Sequence, residues 1–173
     1  LFRELVSDYL TSRWHVNNIL LKFFHDCIAF RRLMLLSGAL ISGSQALQLL
    51  LRVTYIGSDL DVYVHREYHD LLEAFLLHEG YQILDHVPQM YVPGRKIWRD
   101  EKKVQLIVTD GAPLACILRF HSTCVMNVVT ACSMISLYPL ATLNKKTFVF
   151  HTSGSGTRRR ALAAVQKYVD RGF

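Results

Sequence analysis

Apolar and polar positions follow two periods along this chain, and the switches between them outline its elements. Leu1, Leu5, Val6 and Leu10 recur at helical spacing with charges between them, which predicts a first helix. Asn17 or Asn18 stands where a cap is expected for a second helix running to about Phe30. Its buried face would be Ile19, Leu20, Phe23, Phe24, Cys27 and Ile28. Both helices are expected to pack on a sheet, with Trp14 as core or lid. Residues 33–41 are apolar around Ser37 and Gly38, and 39–41 read as a buried strand. Residues 45–51 start a leucine-rich helix, 53–56 fit a helix end, a short strand or a loop, and Gly57 marks a turn. Residues 60–64 then form a strand.

Farther along, residues 66–78 predict a helix with Tyr68, Leu71, Leu72, Phe75 and Leu76 on one face and Gly80 at its end. A strand at 81–84 and a loop at 88–94 follow, then a hairpin of 96–99 with 103–108 around Asp100 and Glu101. Pro113 opens a short helix over 113–120. Residues 123–136 fit helix or strand equally and end at Leu137-Tyr138-Pro139, and 148–150 predict a short strand. Residues 153–157, SGSGT, read as a flexible segment without the spacing of a phosphate loop. An amphipathic helix over 158–169, with Leu162, Val165 and Val169 on one side, closes the pattern. The sum is an α/β fold, a small mixed sheet flanked by helices, divided as 1–152 with a linker and helix at 153–173.

The chemistry concentrates in residues 41–64, ISGSQALQLLLRVTYIGSDLDVYV. Gly43-Ser44 is a turn entering a helix, and such a turn offers backbone N–H groups and a hydroxyl to a phosphate. Asp59 and Asp61 alternate on a strand, so they share one face while Leu60, Val62 and Val64 bury the other. Two neighbouring carboxylates repel unless a cation lies between them. Hard oxygen donors of this kind suit Mg²⁺ or Mn²⁺. Other fates are open to these residues: Asp59 capping a turn, Ser58 satisfying the Asp59 loop, Asp61 pairing with Arg66 or Arg52.

Gly43-Ser44, a helix, then Asp59-Leu60-Asp61-Val62 resembles the signature of the nucleotidyltransferase-fold superfamily, which includes polymerase-β-like enzymes. The spacer here is residues 45–58, at the long end of that pattern. The wider context, SGALISGSQAL, SDLDVYV, FHSTCVMNVV and LYPLATL, is similar to a group of fungal proteins with this fold. The resemblance implies that Gly43 and Ser44 bind an NTP and that Asp59 and Asp61 are catalytic and hold Mg²⁺ or Mn²⁺. It also implies transfer of a nucleotidyl group to a hydroxyl of RNA, protein or a small molecule. A third acid belongs on a later strand, which here is 103–108, and the matching residue is Gln105. Glutamine coordinates weakly and takes no proton at neutral pH. Asp100, Glu101, Asp110 or His121 would have to substitute, or the domain is an impaired nucleotide-binding or interaction module.

Composition narrows the setting. The 173 residues suffice for one core, and 51% are apolar. No apolar run reaches bilayer length, so no membrane partner is expected; oligomeric state is left open. The chain begins at Leu1 rather than Met and reads as a fragment. Cys27, Cys116, Cys124 and Cys132 form no metal-ligand pair and read as buried thiols of a reducing compartment, cytoplasmic or nuclear. The net charge of +6 clusters in three groups. They are Arg95, Lys96, Arg99, Lys102 and Lys103; Lys145 and Lys146; and Arg158, Arg159, Arg160, Lys167 and Arg171. Such clusters favour a polyanion, RNA among them, or a solvated basic face. Tyr91 and Trp98 are candidates to stack a base, with packing the alternative. The scattered histidines read as surface or structural.

Overall fold

The computed structural model describes residues 1–84, 94–150 and 155–173. Helix α1 (Phe2–Arg13) and the short α2 (Asn17–Leu20) lead into α3 (Cys27–Ser37), β1 (Leu40–Ser42) and α4 (Gly43–Leu51). Strand β2 (Leu60–His65), a 3₁₀ turn at Arg66–Tyr68, α5 (His69–His78) and β3 (Gln82–Leu84) follow. Next come the hairpin β4 (Gly94–Arg99) and β5 (Lys102–Thr109), then α6 (Pro113–Ile117). A turn at Thr123–Val125, the pair β6 (Asn127–Val129) and β7 (Met134–Ser136), α7 (Pro139–Leu143) and α8 (Ser155–Val169) complete the order. The strands form one mixed sheet in the order β3-β4-β5-β2-β1-β6-β7. Only β2 and β5 run parallel; every other neighbouring pair is antiparallel.

Alternation along β2 divides the molecule into two sides. Leu60, Val62 and Val64 are fully buried in the main core with Val104 and Leu106 of β5 and Leu72 and Leu76 of α5. Burying each such side chain is worth about 1.5–3 kcal/mol. Phe24, Phe30 and Phe75 pack in that core with centroids 4.3–5.5 Å apart. On the other side Tyr63 packs with Ile107, Ile117 and Val128. Helix α4 lies between cores: Ala46 and Leu49 join the main one, while Leu47 joins Cys124, Val125 and Tyr168. A helix apolar on all sides has to be enclosed in this way, and residues 43–50 are buried throughout.

Several sequence expectations need correction. The second helix does not run through to Phe30. The Glu79 carboxylate accepts from the backbone N–H groups of His25 (2.8 Å) and Asp26 (3.0 Å), which breaks the helix there. Asp26 then caps α3 by accepting from Ala29 N–H at 2.8 Å. Ile28 consequently points outward and is 61% exposed. Phe2, Leu5 and Val6 of α1 are exposed rather than packed on the sheet. Residues 53–56 are loop, and residues 123–136 resolve into a turn and the β6–β7 pair. The strand at 148–150 reduces to one bridge between Ser122 and Val149. Ser155 already belongs to α8, whose buried residue is Tyr168, whereas Leu162 and Val169 are exposed. Among the cysteines, Cys27 and Cys124 are buried, Cys116 is half-buried and Cys132 is exposed. The loop at 88–93, Tyr91 and the Trp98 side chain lie outside the described residues, as do residues 151–154.

Candidate active site

The Gly-Ser turn and the acid strand meet through backbone pairing. Ser42 of β1 pairs with Asp61 of β2, and Asp61 pairs with Gln105 of β5. Cross-strand partners share a face, so Asp61 and Gln105 stand side by side, half-buried. Asp59 stands in the loop one residue ahead of β2. The Ser58 carbonyl is drawn away from the ladder by a 2.9 Å hydrogen bond from Gln45 Nε2.

Gly43 is required by two separate facts. Its φ is +67°, a left-handed conformation that side chains resist. A Cβ there would also lie 2.4 Å from Asp61 Oδ2. The start of α4 therefore presses directly on the Asp61 carboxylate. Ser42, fully buried, anchors the turn by donating to the carbonyls of Asn127 (2.7 Å) and Val125 (3.3 Å). Gln48 fixes the next loop, accepting from Tyr55 N–H at 2.9 Å and donating to the Ser44 carbonyl at 3.2 Å.

The closing helix supplies a third wall. Arg171, just beyond α8, donates to Ser44 Oγ (3.1 Å) and Ser58 Oγ (3.4 Å). Its guanidinium lies 3.9 Å from the Tyr55 ring centroid and 5.2 Å from that of Tyr168. The Tyr168 hydroxyl is 3.4 Å from Ser44 Oγ. Lys167 has its pKa lowered by desolvation and by Arg171, while Asp61 and Asp59 pull it back up. Burial raises the pKa of Tyr63 well above the usual tyrosine range, with Asp61 adding to the shift.

The alternatives for the acids divide cleanly. Arg66 pairs with Asp110, and Arg52 bonds the Tyr9 hydroxyl and lies over Trp14. Asp110 is therefore engaged elsewhere, and Asp100 and Glu101 are exposed in the β4–β5 turn. His121 is packed against Tyr168, 6.3 Å between centroids, and burial lowers its pKa. Among the described residues no group of three His, Cys, Asp or Glu side chains is placed to hold a metal. Two carboxylates remain, a donor set that suits Mg²⁺ when phosphate oxygens and waters complete its shell.

Sequence reasoning missed Gln45, Gln48, Ser58, Tyr55, Tyr168 and Arg171 as parts of this site. The two glutamines carry a readable signal: they are polar, three residues apart and embedded in an apolar helix. Arg171 is marked only by its place in the third basic cluster, and the fold alone brings it to Ser44.

No family model matches the chain, and no curated protein matches it in sequence. Among the described residues no helix is long and apolar enough to cross a membrane. The fold is similar to two solved structures. One is a CCA-adding enzyme in an apo form, with TM-score 0.55 and 14% identity over 90% of this chain and 47% of that one. The other is the Thermotoga maritima CCA-adding enzyme complexed with tRNA, with TM-score 0.57 and 15% identity over 90% of this chain and 46% of that one. The chain thus spans about half the length of each. At these identities the likeness is one of fold: a mixed sheet flanked by helices, of the nucleotidyltransferase type found in CCA-adding enzymes.

Proposed function

We propose that the protein binds a nucleoside triphosphate with a divalent metal and transfers its nucleotidyl group to a hydroxyl acceptor. One observation carries the reading: Gly43 abuts the Asp61 carboxylate so closely that a single methyl group would collide with it. That contact sets the Gly43-Ser44 turn against Asp61, which supports reading the turn as a phosphate seat and the acid as a metal ligand. Asp59 and Asp61 would hold Mg²⁺ or Mn²⁺, which when bound neutralises charge developing on the transferring phosphate. Gly43 N–H and the Ser44 hydroxyl would hold phosphate oxygens at the start of α4. The acceptor oxygen bonds to the α-phosphorus as its proton passes to water and the bond to the leaving pyrophosphate breaks. RNA is the favoured acceptor, on the net charge of +6 and the likeness to an enzyme seen with tRNA. The reading keeps residues 1–152 as the transferase-like body, 153–173 as its linker and helix, and the narrower likeness to the fungal group.

Gln105 favours a second reading. It stands level with Asp61, where a third acid belongs, and it takes no proton. In that reading the domain binds nucleotide without transferring it. Incubation with labelled NTPs and Mg²⁺ or Mn²⁺, against Asp59→Ala/Asp61→Ala, decides between them. Incorporation that drops by about 100-fold or more in the double variant supports transfer at this site. Metal-dependent binding without incorporation supports the second reading, and incorporation that survives the double substitution overturns the site.

A further inference from the structure

Arg171 is a half-buried cation whose hydrogen bonds among the described residues go to two neutral hydroxyls, Ser44 and Ser58. A guanidinium has five N–H donors in a rigid fork and binds phosphate in two-pronged fashion. Tyr55 and Tyr168 lie against this one, with centroids 3.9 Å and 5.2 Å away, and its two prongs rest on serine hydroxyls that a phosphate can replace. Tyr168 is itself buried and reaches Ser44. Lys167 stands four positions before Arg171, near the end of α8. A guanidinium held at the hydroxyl of the Gly43-Ser44 turn forms an anion site that the motif alone does not reveal.

We propose that Arg171, with Lys167, receives the β- and γ-phosphates of the nucleotide, so that α8 is the wall that tells a triphosphate from a monophosphate. This rests on the nucleotide reading above. A phosphate that takes up the Ser44 hydroxyl arrives within reach of the Arg171 fork, because the two are already 3.1 Å apart. Arg171 is a binding residue here, and the acids remain responsible for the metal.

The test measures dissociation constants for ATP, ADP, AMP and inorganic tripolyphosphate, with and without Mn²⁺. The proteins are the unsubstituted chain, Arg171→Gln, Arg171→Lys, Lys167→Gln and Asp61→Asn. Arg171→Gln is expected to weaken ATP about 10- to 100-fold and AMP less than 2-fold. Lys167→Gln gives a smaller loss in the same order, and Arg171→Lys recovers part of it. Lys167 is exposed, so its variant keeps the question open if Arg171→Gln misfolds, which a thermal melt reveals. Asp61→Asn is expected to abolish the Mn²⁺ dependence while tripolyphosphate still binds. If ATP and AMP weaken equally, Arg171 is structural and the proposal fails. If Arg171→Gln tightens ATP, the guanidinium blocks the turn and the proposal fails. Tripolyphosphate binding that is lost in Arg171→Gln without any nucleotide binding keeps the anion site and removes the nucleotide reading. Binding of neither overturns both.

Discussion

Two charged centres in this molecule are built on opposite principles. At one, Glu79 and Arg99 are both nearly enclosed, 4% and 11% exposed, and every strong group has a partner. Glu79 accepts from His25 and Asp26 backbone N–H groups and from Arg99 at 3.2 Å. Arg99 also donates to the carbonyls of Glu79 and Phe23 and lies over Tyr81, whose hydroxyl bonds Phe23 O at 2.8 Å. Burial tends to raise the Glu79 pKa, but the two backbone bonds and Arg99 outweigh it and leave the pKa below its ordinary value. At the other centre, beside Asp59 and Asp61, Arg171 rests on the Ser44 and Ser58 hydroxyls and against the Tyr55 and Tyr168 rings. A closed ion pair fastens α3, α5 and β4 together. A guanidinium whose partners among the described residues are neutral hydroxyls and aromatic rings is organised for something that arrives from outside.

The comparison can be broken at its strongest point first. Glu79→Ala leaves Arg99 buried without its anion and two backbone N–H groups unpaired. It should cost about 3–5 kcal/mol, a melting temperature lower by roughly 10 °C. The pH dependence has a fixed sign. Because the folded pKa is depressed, the contribution is present above the ordinary value of 4.5 and is lost as pH falls through the folded value. Urea titrations from pH 7 down should therefore show the gap between the two proteins closing only below pH 4.5. A gap that is constant with pH would remove the ion pair from the account.

The site should respond differently. Gly43→Ala and Gly57→Ala both force a left-handed backbone, φ +67° and +68°, at about 1–2 kcal/mol each. A methyl group at Gly57 would meet nothing within 4 Å, whereas one at Gly43 meets Asp61. Chemical denaturation should show Gly43→Ala as the more costly of the two, and calorimetry with Mn²⁺ should show only Gly43→Ala losing metal. Equal costs would mean that the turn and the acid are independent. The smallest effect is a gain: Gln105→Glu should tighten Mn²⁺ about tenfold, near 1.4 kcal/mol, by placing a third carboxylate level with Asp61. No change in Mn²⁺ affinity would separate Gln105 from the site.

Much of this architecture is legible in the residues alone. The β4–β5 hairpin, the strand read at 60–64 and its alternation rest on local rules, whereas the expectation of Gln105 level with Asp61 comes from the family resemblance. Local rules lose their footing where distant groups decide. The helix expected through Phe30 is broken by Glu79, more than fifty positions away along the chain. Leu5 and Val6 show that helical spacing marks a face without saying what covers it. The motif exposes the acids and the turn because they lie close together in sequence. Arg171 stays hidden because 127 positions separate it from Ser44.

Ser42 ties the turn to carbonyls 83 and 85 positions later, at Val125 and Asn127. A peptide holding both halves of the motif would therefore lack the clamp that sets its angle. Closing so long a loop carries its entropy penalty before any contact rewards it. The Gly-Ser turn and its two aspartates are thus expected to reach their folded arrangement late, after the sheet around them has settled.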